Sequence, residues 1–454
     1  MKKLLLVNPV GQTSGYLLSK FSSIPPLSLA YIAAVTPSNW EVKIADENFD
    51  PILFEDADLV GITAFTSSIN RAYEIAKKYR DRRIKVVIGG IHASMLPDEV
   101  LQHADAVVVG EAEGIWGDVI KDFENNRLSG KYFGPRLDLS QNLIKPRRDI
   151  VDSRYVFHSI QTSRGCPFDC NFCTVSKYLG KEFRQRSAPD VLDELQEIPG
   201  RFLFFLDDNL IGHSRESKKR AIDIFKGMIK LGLNKKWWMQ TSIDSADDEQ
   251  VLKLAAESGC MLAFIGFETI SATTLKEMKK GVNLRIGIEN YKKVIDAFHS
   301  HGIGVVGAFI LGNDHESPNY YREMAKFLVR SGIDAVQMAI LTPLPGTQLM
   351  AQMEKEGRLL YLKFPEDWDK FRLSHVVHKP EGLKPETIYI GNNYIKTHIY
   401  SFPWNQHRLL RSFFSLKNPT NFYAVYRYNK ALKKSWQGSH YFKKYSAKFP
   451  PFPS

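Results

Sequence analysis

Apolar residues in this chain come in short runs separated by longer stretches in which they recur at helical spacing. The first runs are Lys3–Val7, Val42–Ala45, Leu59–Thr63, Lys85–Ile88 and Ala106–Val109. Strand-length runs alternating with helical patterns predict a parallel sheet built from βαβ units over residues 1–127. The opening Lys2-Lys3-Leu4-Leu5-Leu6-Val7 has the basic-then-apolar order of a secretory leader, but it stops at Asn8-Pro9. That is short of the ~7–15 apolar residues of such a leader, so it reads as the first strand. Several predicted strands end in small or polar loops: Asn8–Gly11, Thr63–Ser68, Gly89–Ser94 and Gly110–Gly114. Ligands of open α/β sheets bind beyond the carboxyl ends of the strands, so these loops would line one rim.

Residues 128–152 are polar and basic, contain Pro135 and Pro146, and read as a linker. The rhythm then resumes with strands over His158–Thr162, Phe202–Leu206, Trp237–Ser242, Leu262–Phe267, Val305–Leu311 and Ala335–Leu341. Helical patterns intervene at Ser187–Ile198, Glu216–Leu231, Asp247–Ser258, Ile286–His301 and Tyr320–Ser331. Six βα units predict a partial (β/α)6 barrel over residues 153–350, with its site at the carboxyl ends of the strands. Residues 351–454 form a mainly helical, basic and aromatic-rich extension.

The strongest chemical signal is Arg164-Gly165-Cys166-Pro167-Phe168-Asp169-Cys170-Asn171-Phe172-Cys173, which holds three of the four cysteines. A buried loop of small residues or a zinc knuckle is the plain alternative. A structural zinc site takes four ligands, and neither Cys260 nor a nearby histidine completes a set at recognisable spacing. Three thiolates suit an iron–sulfur cube, with one iron left open to a ligand that reacts. In this motif the chain resembles the radical S-adenosylmethionine (SAM) enzymes. The resemblance implies a [4Fe–4S] cluster on Cys166, Cys170 and Cys173 that binds SAM and cleaves it to a 5′-deoxyadenosyl radical.

Pro25–Ala30, Asp46-Glu47-Asn48, Val87–Gly90 and Val109–Glu113 resemble the N-terminal cobalamin-binding domain of the B12-dependent radical SAM class, nearest its hopanoid C-2 methylase type. The expected fold is therefore α/β: a Rossmann-like (flavodoxin-like) cobalamin-binding domain, a partial radical SAM barrel and a helical extension. The resemblance implies cobalamin contacts among Asn8, Thr66, Ser67, Gly89, Gly90, His92, Gly110 and Glu111. The chain has no Asp-x-His-x-x-Gly motif, so it offers cobalt no histidine in the familiar way. For SAM, Phe172 resembles the aromatic that packs near adenine, and Gly266-Phe267-Glu268-Thr269 resembles the Gly-x-Glu-Ser/Thr element whose Glu268 would bond ribose. Asp207 and Asp208 cap an apolar strand, where a carboxylate could accept from the SAM amino group; a helix N-cap is the structural alternative. Gln240 and Ser242 share one face of the third barrel strand as hydrogen-bonders to SAM or substrate, and Gly312 would let adenine approach backbone. Cys260 ends a helix just before a strand, where a small buried residue packs well.

Charge adds one feature. The net +11 arises wholly after Glu386, where eleven Lys and Arg and no Asp or Glu occur. Amphipathic stretches there, with Leu409, Leu410, Phe413 and Phe414, then Phe422, Val425, Tyr426, Leu432 and Trp436, carry interleaved cations. Three readings remain open: cover for the barrel mouth, a surface for anionic lipid, or nucleic-acid binding. No run reaches the ~18 apolar residues of a membrane span. Four cysteines without a paired framework suit a reducing compartment, so a cytoplasmic location is expected, with the tail peripheral to the inner face of the membrane. The expected function is cobalamin-dependent C-methylation of an unactivated carbon in a small hydrophobic or lipid-like substrate, with electrons from a flavodoxin or ferredoxin. A radical cyclase or carbon–carbon bond former without methyl transfer is the alternative. A tRNA methylthiotransferase is set aside, since it needs N-terminal cluster cysteines and none precedes Cys166.

Overall fold

A computed structural model describes residues 1–11, 24–141, 144–439 and 444; the last lysines of the basic tail, including Lys443 and Lys448, lie outside them. Strands β1 (Lys2–Asn8), β2 (Trp40–Asp46), β3 (Leu59–Thr63), β4 (Lys85–Gly89), β5 (Ala106–Gly110) and β6 (Gly130–Gly134) form one parallel sheet in the order β2-β1-β3-β4-β5-β6. This is the flavodoxin-like order, whose topological switch point lies between β1 and β3. Strand β6 falls in the stretch read as linker. Its Lys-Tyr-Phe core is framed by Gly130 and Gly134, and so short a segment shows too little alternation to be read. It is held by pairing with β5 from Ala106↔Gly130 to Gly110↔Gly134.

Strands β7 (His158–Ile160), β10 (Phe202–Phe205), β11 (Lys236–Thr241), β12 (Cys260–Glu268), β13 (Gly304–Leu311) and β14 (Ala335–Ile340) form the second sheet, parallel and in chain order. The short strands β8 (Ser163–Arg164) and β9 (Arg184–Gln185) pair antiparallel and bracket the cysteine loop. All six predicted barrel strands are therefore present, and the open six-stranded sheet matches the partial barrel. Its outer face, with Phe205, Met239, Ile265, Phe309 and Met338, forms the main core against the helices.

Two features of the last hundred residues were not legible. Residues 341–377 cover one face of the N-terminal sheet: Leu349, Met350, Trp368 and Phe371 share a core with Val7, Ile62 and Ile88. Helices Pro385–Tyr400, Trp404–Leu416 and Pro419–Gln437 follow. Val425 and Tyr428 of the last helix pack on Met261, Leu262, Val306 and Ala335, at the amino halves of the strands. Asn421 donates to the Gly302 carbonyl at 2.8 Å, just before β13. Val425 and Tyr428 thus close the floor of the barrel, not its mouth. The correction has a physical cause: helical amphipathicity says that a face is covered, not which end of a neighbouring element covers it.

Candidate functional site

The two sheets present their carboxyl ends to each other. Gly346, in the loop after β14, lies so near Met95 of the N-terminal domain that an added Cβ would fall 2.4 Å from its sulfur. Tyr178 of the cysteine loop donates to the Gly110 carbonyl at 3.4 Å.

The cysteine loop is shaped by backbone. Gly165 has φ +90°, and a Cβ there would fall 2.0 Å from the Glu182 carbonyl oxygen, so only glycine fits between β8 and β9. The Cys166 amide donates to the Gly180 carbonyl at 3.1 Å and that of Cys173 to Cys170 at 3.2 Å. Burial pushes all three thiols up, Cys173 to about 12, while the nearby Lys280 ammonium opposes the rise. Among the described residues no three His, Cys, Asp or Glu converge closely enough to share one ion. Three thiols on one short loop make a donor set in which each thiolate can take a different iron of a cube, and a bound cluster would replace the thiol protons.

Around the loop stand three charged groups. Asp208 is open to the cleft, yet the surrounding walls remove enough water to push its carboxyl up to about 6, with Asp207 beside it adding to the rise. Glu268 ends β12 with φ +65° and is almost buried. A non-glycine residue held there costs about 1–3 kcal/mol; Asn283, donating to the carbonyls of Gly266 at 3.0 Å and Phe267 at 3.1 Å, fixes the turn. The Lys280 ammonium donates to Glu268 Oε1 at 2.5 Å. Cys166 feels Asp208 and Lys280, Cys170 feels Lys280 and Glu268, and Cys173 feels Lys280 and Asp208, so these six residues share one neighbourhood. Lys280 was missed in the sequence, where nothing local distinguishes it from Lys276 or Lys279.

Other sequence-derived candidates lie apart or are engaged. Asp207 is fully buried and accepts from the Thr162 amide (3.1 Å), the Thr162 hydroxyl (2.8 Å) and the Ser163 hydroxyl; burial pushes its carboxyl up. Gln240 reaches the Asp207 carbonyl at 3.5 Å. Ser242 donates to Asp244 at 2.5 Å and accepts from Asn209 at 3.1 Å. Gly312, φ +90°, donates to Glu316 at 2.9 Å, and its carbonyl accepts from His378 at 2.8 Å. Phe172 packs into the core shared by the two domains. Cys260 is buried, its thiol pushed up by that burial.

Below the mouth, the inward side chains of the barrel strands are less covered than the outward ones. On β10 to β14 outward residues such as Phe205, Met239, Ile265, Phe309 and Met338 are buried, whereas the inward Phe204, Trp238, Gln240, Phe264, Ala308 and Gln337 are only partly so, Trp238 and Phe264 packing on the floor cluster. Tyr428 forms the floor, its hydroxyl donating to Gln337 Oε1 at 2.9 Å and its ring edge-on to Trp238. The inward wall is thus mostly aromatic, with two amide side chains.

On the N-terminal rim, Asn8 donates to Asp46 at 2.9 Å, and Gly11 lies close against the Ser67 carbonyl across the switch point. Gly90, φ +95°, would clash with Ala64 if it carried a Cβ. Phe65, beside Thr66 and Ser67, is 69% exposed. A switch-point crevice of small residues with one bare aromatic ring fits a large flat cofactor such as cobalamin. His92 is fully buried, bonded to Thr66 Oγ1 at 3.1 Å and Glu99 Oε1 at 3.3 Å. Both Glu111 oxygens face guanidinium groups: Arg164 at 2.7 Å and Arg184. Arg164 also bonds Glu113 at 2.5 Å. Arg164 adjoins the cysteine motif but nothing in the sequence marks it for this pairing, and Arg184 carries no sequence signal.

Comparison with known proteins places this geometry. Residues 15–120 match the B12 binding domain family and residues 160–328 the radical SAM superfamily. The chain is 31% identical over 415 residues to bacteriochlorophyllide d C-12(1)-methyltransferase of Chlorobaculum tepidum, covering 87% of this chain and 86% of that protein. It is 28% identical to hopanoid C-2 methylase of Rhodopseudomonas palustris, covering 78% and 68% respectively. The structure of the radical SAM methyltransferase TsrM from Kitasatospora setae, with tryptophan substrate and a SAM analogue bound, superposes with TM-score 0.71 at 16% identity, covering 99% of this chain and 100% of that one; this likeness speaks for the fold. Two domains matched in this order, with near-full-length identity above 30%, make the chain a member of the cobalamin-dependent radical SAM methyltransferases, whose cofactors are a [4Fe–4S] cluster, SAM and cobalamin.

Proposed function

We propose that this enzyme methylates an unactivated carbon of a hydrophobic or lipid-like substrate held against the inward wall of the barrel. The observation that carries the reading is the inward wall of the barrel: Phe204, Trp238 and Phe264 offer apolar faces, and Gln240 and Gln337 offer a few oriented polar contacts, the usual make-up of a small-molecule site. The relatives named for methylating a bacteriochlorophyllide and a hopanoid support the same class. When bound, the cluster supplies the electron that cleaves SAM, and cobalamin carries the methyl group. The chain's own part is to hold Cys166, Cys170 and Cys173 over that wall, to place Glu268 and Lys280 for SAM, and to keep water out of the cleft. Of the remaining candidates, Asp208, Ser242, Gln240, Phe172 and Gly312 are proposed to complete the SAM and substrate walls.

The test is anaerobic turnover with methyl-deuterated SAM, a flavodoxin or ferredoxin reductant, and a panel of polyprenoid and tetrapyrrole substrates. A methylated product carrying three deuterons, with deoxyadenosine and S-adenosylhomocysteine both formed, is expected. Deoxyadenosine with an unlabelled, altered product would favour cyclisation or carbon–carbon bond formation instead.

The same reading includes peripheral contact with anionic lipid. No helix among the described residues is long and apolar enough to cross a membrane. Helices Trp404–Leu416 and Pro419–Gln437 expose Leu410, Phe413, Phe414, Tyr423 and Tyr426 beside Lys417, Arg427 and Lys430, on a stretch without any acid. This face lies at the floor of the barrel, so docking would fix the enzyme's location without opening a route to the mouth. Co-sedimentation with phosphatidylglycerol vesicles, reduced in Phe414→Ser, is the expected result.

A further inference from the structure

We infer that Glu111 and Glu113 are positioning residues that set the cysteine loop in register with the cobalamin-binding rim, acting through Arg164 and Arg184. Glu111 and Glu113 follow β5 on the rim, whereas Arg164 and Arg184 are paired across β8 and β9, the ribbon that brackets the cysteine loop. Arg164 stands two residues before Cys166.

Arg164 is fully specified. Its three nitrogens donate to Gln161 at 2.9 Å, Glu111 at 2.7 Å and Glu113 at 2.5 Å. Glu111 bridges both arginines and also accepts from the Leu137 amide at 3.2 Å. Arg184 donates to the carbonyls of Leu137 at 2.7 Å and Leu179 at 3.1 Å. Glu111, Arg164 and Arg184 are all buried. Buried ion pairs are weak evidence for stability as such, and apolar packing often replaces them without loss. What a planar guanidinium fork gives is fixed geometry. The apolar core shared by the domains tolerates small sliding; this network does not. The ribbon and its cysteines therefore follow the rim. The inference rests on the two-cofactor reading and is independent of the substrate.

The test compares Arg164→Lys, which keeps the charge and loses the fork, with Glu111→Gln and Glu113→Gln. Each is reconstituted with iron, sulfide and hydroxocobalamin. Iron and cobalt are counted, the magnetic coupling between cob(II)alamin and the reduced cluster is read by EPR, and amide exchange over residues 163–186 is measured with and without metals. Expected are near-normal iron and cobalt, exchange about tenfold faster or more in that segment, and a broadened coupling. Wild-type coupling and exchange in Arg164→Lys and Glu111→Gln would overturn the inference. So would loss of iron in step with the coupling, which would make these residues part of cluster assembly. Should those two variants not fold, Glu113→Gln, which leaves Glu111 bridging both arginines, carries the same expectation in smaller degree, and a wild-type spectrum from it overturns the inference.

Discussion

Replacing Gly165 by alanine tests whether the cysteine loop depends on one backbone conformation. At φ +90° a Cβ would lie 2.0 Å from the Glu182 carbonyl oxygen and 3.0 Å from that of Gly180. Since real contacts stop near 3.0 Å, the Glu182 carbonyl must retreat by about 1 Å, enough to part a two-residue ladder. Losing that pairing removes hydrogen bonds worth about 1 kcal/mol each, and the left-handed conformation adds about 1–2 kcal/mol. The local penalty is therefore about 3–4 kcal/mol, concentrated between Ser163 and Gln185. Reconstituted Gly165→Ala should hold only a small part of the wild-type iron, and its amides from 163 to 186 should exchange at least a hundredfold faster. Gly117, in helix Trp116–Glu124 with nothing within 4 Å of an added Cβ, provides the control: Gly117→Ala should stabilise by about 0.5–1 kcal/mol. Wild-type iron and exchange in Gly165→Ala would refute the argument that this loop has one allowed shape.

Lys280→Met should make the cluster harder to reduce. A unit charge about 6–16 Å away is worth about 1–3 kcal/mol at an effective dielectric near 20, a fall of about 40–130 mV for one electron, readable by potentiometric EPR titration. Lys396 is perturbed by burial alone, which lowers its pKa from 10.5 to about 8. Between those values the unfolded chain keeps a proton that the folded chain has lost, so stability rises with pH across that window and the penalty is complete below it. Lys396→Met should therefore raise stability at pH 7 by up to about 3 kcal/mol and flatten that rise in denaturant titrations between pH 7 and 10.5. Trp368 is buried, stacks on Phe364 with ring centres 3.8 Å apart and donates to Glu99 at 2.9 Å. Trp368→Ala should cost about 3–5 kcal/mol and speed exchange in helix Ile69–Asp81, against which its segment packs.

The parallel sheets were readable because strands buried on both faces leave uninterrupted apolar runs, as in Val86-Val87-Ile88 and Ala106-Val107-Val108. The cysteine loop was readable because its three donors are adjacent in sequence. Lys280 and the Glu111–Arg164–Arg184 network were not, because ion pairs between residues 12, 53 and 73 positions apart leave no periodic trace. Asp207 and Asp208 show a finer limit. The sequence places two acids after one strand, but alternation sends one into the core to cap Thr162 and Ser163 and the other toward the cleft. His92 stands in a rim loop by sequence, yet the structure turns its ring inward, onto Trp368, which no local pattern foretells.

The floor of the barrel has a consequence for how the molecule is made. Val425 and Tyr428 close the strands from a helix synthesised after all of them, through contacts such as Gln337 with Tyr428, 91 positions apart, and Gly302 with Asn421, 119 apart. While the chain is still emerging, Met261, Leu262 and Val306 face water, and the nascent partial barrel lacks its floor. Closure is thus a late, non-local event of the kind that slows folding and exposes intermediates to aggregation. A ribosome-stalled chain ending before Pro419 should engage chaperones, and one extended past Gln437 should release them.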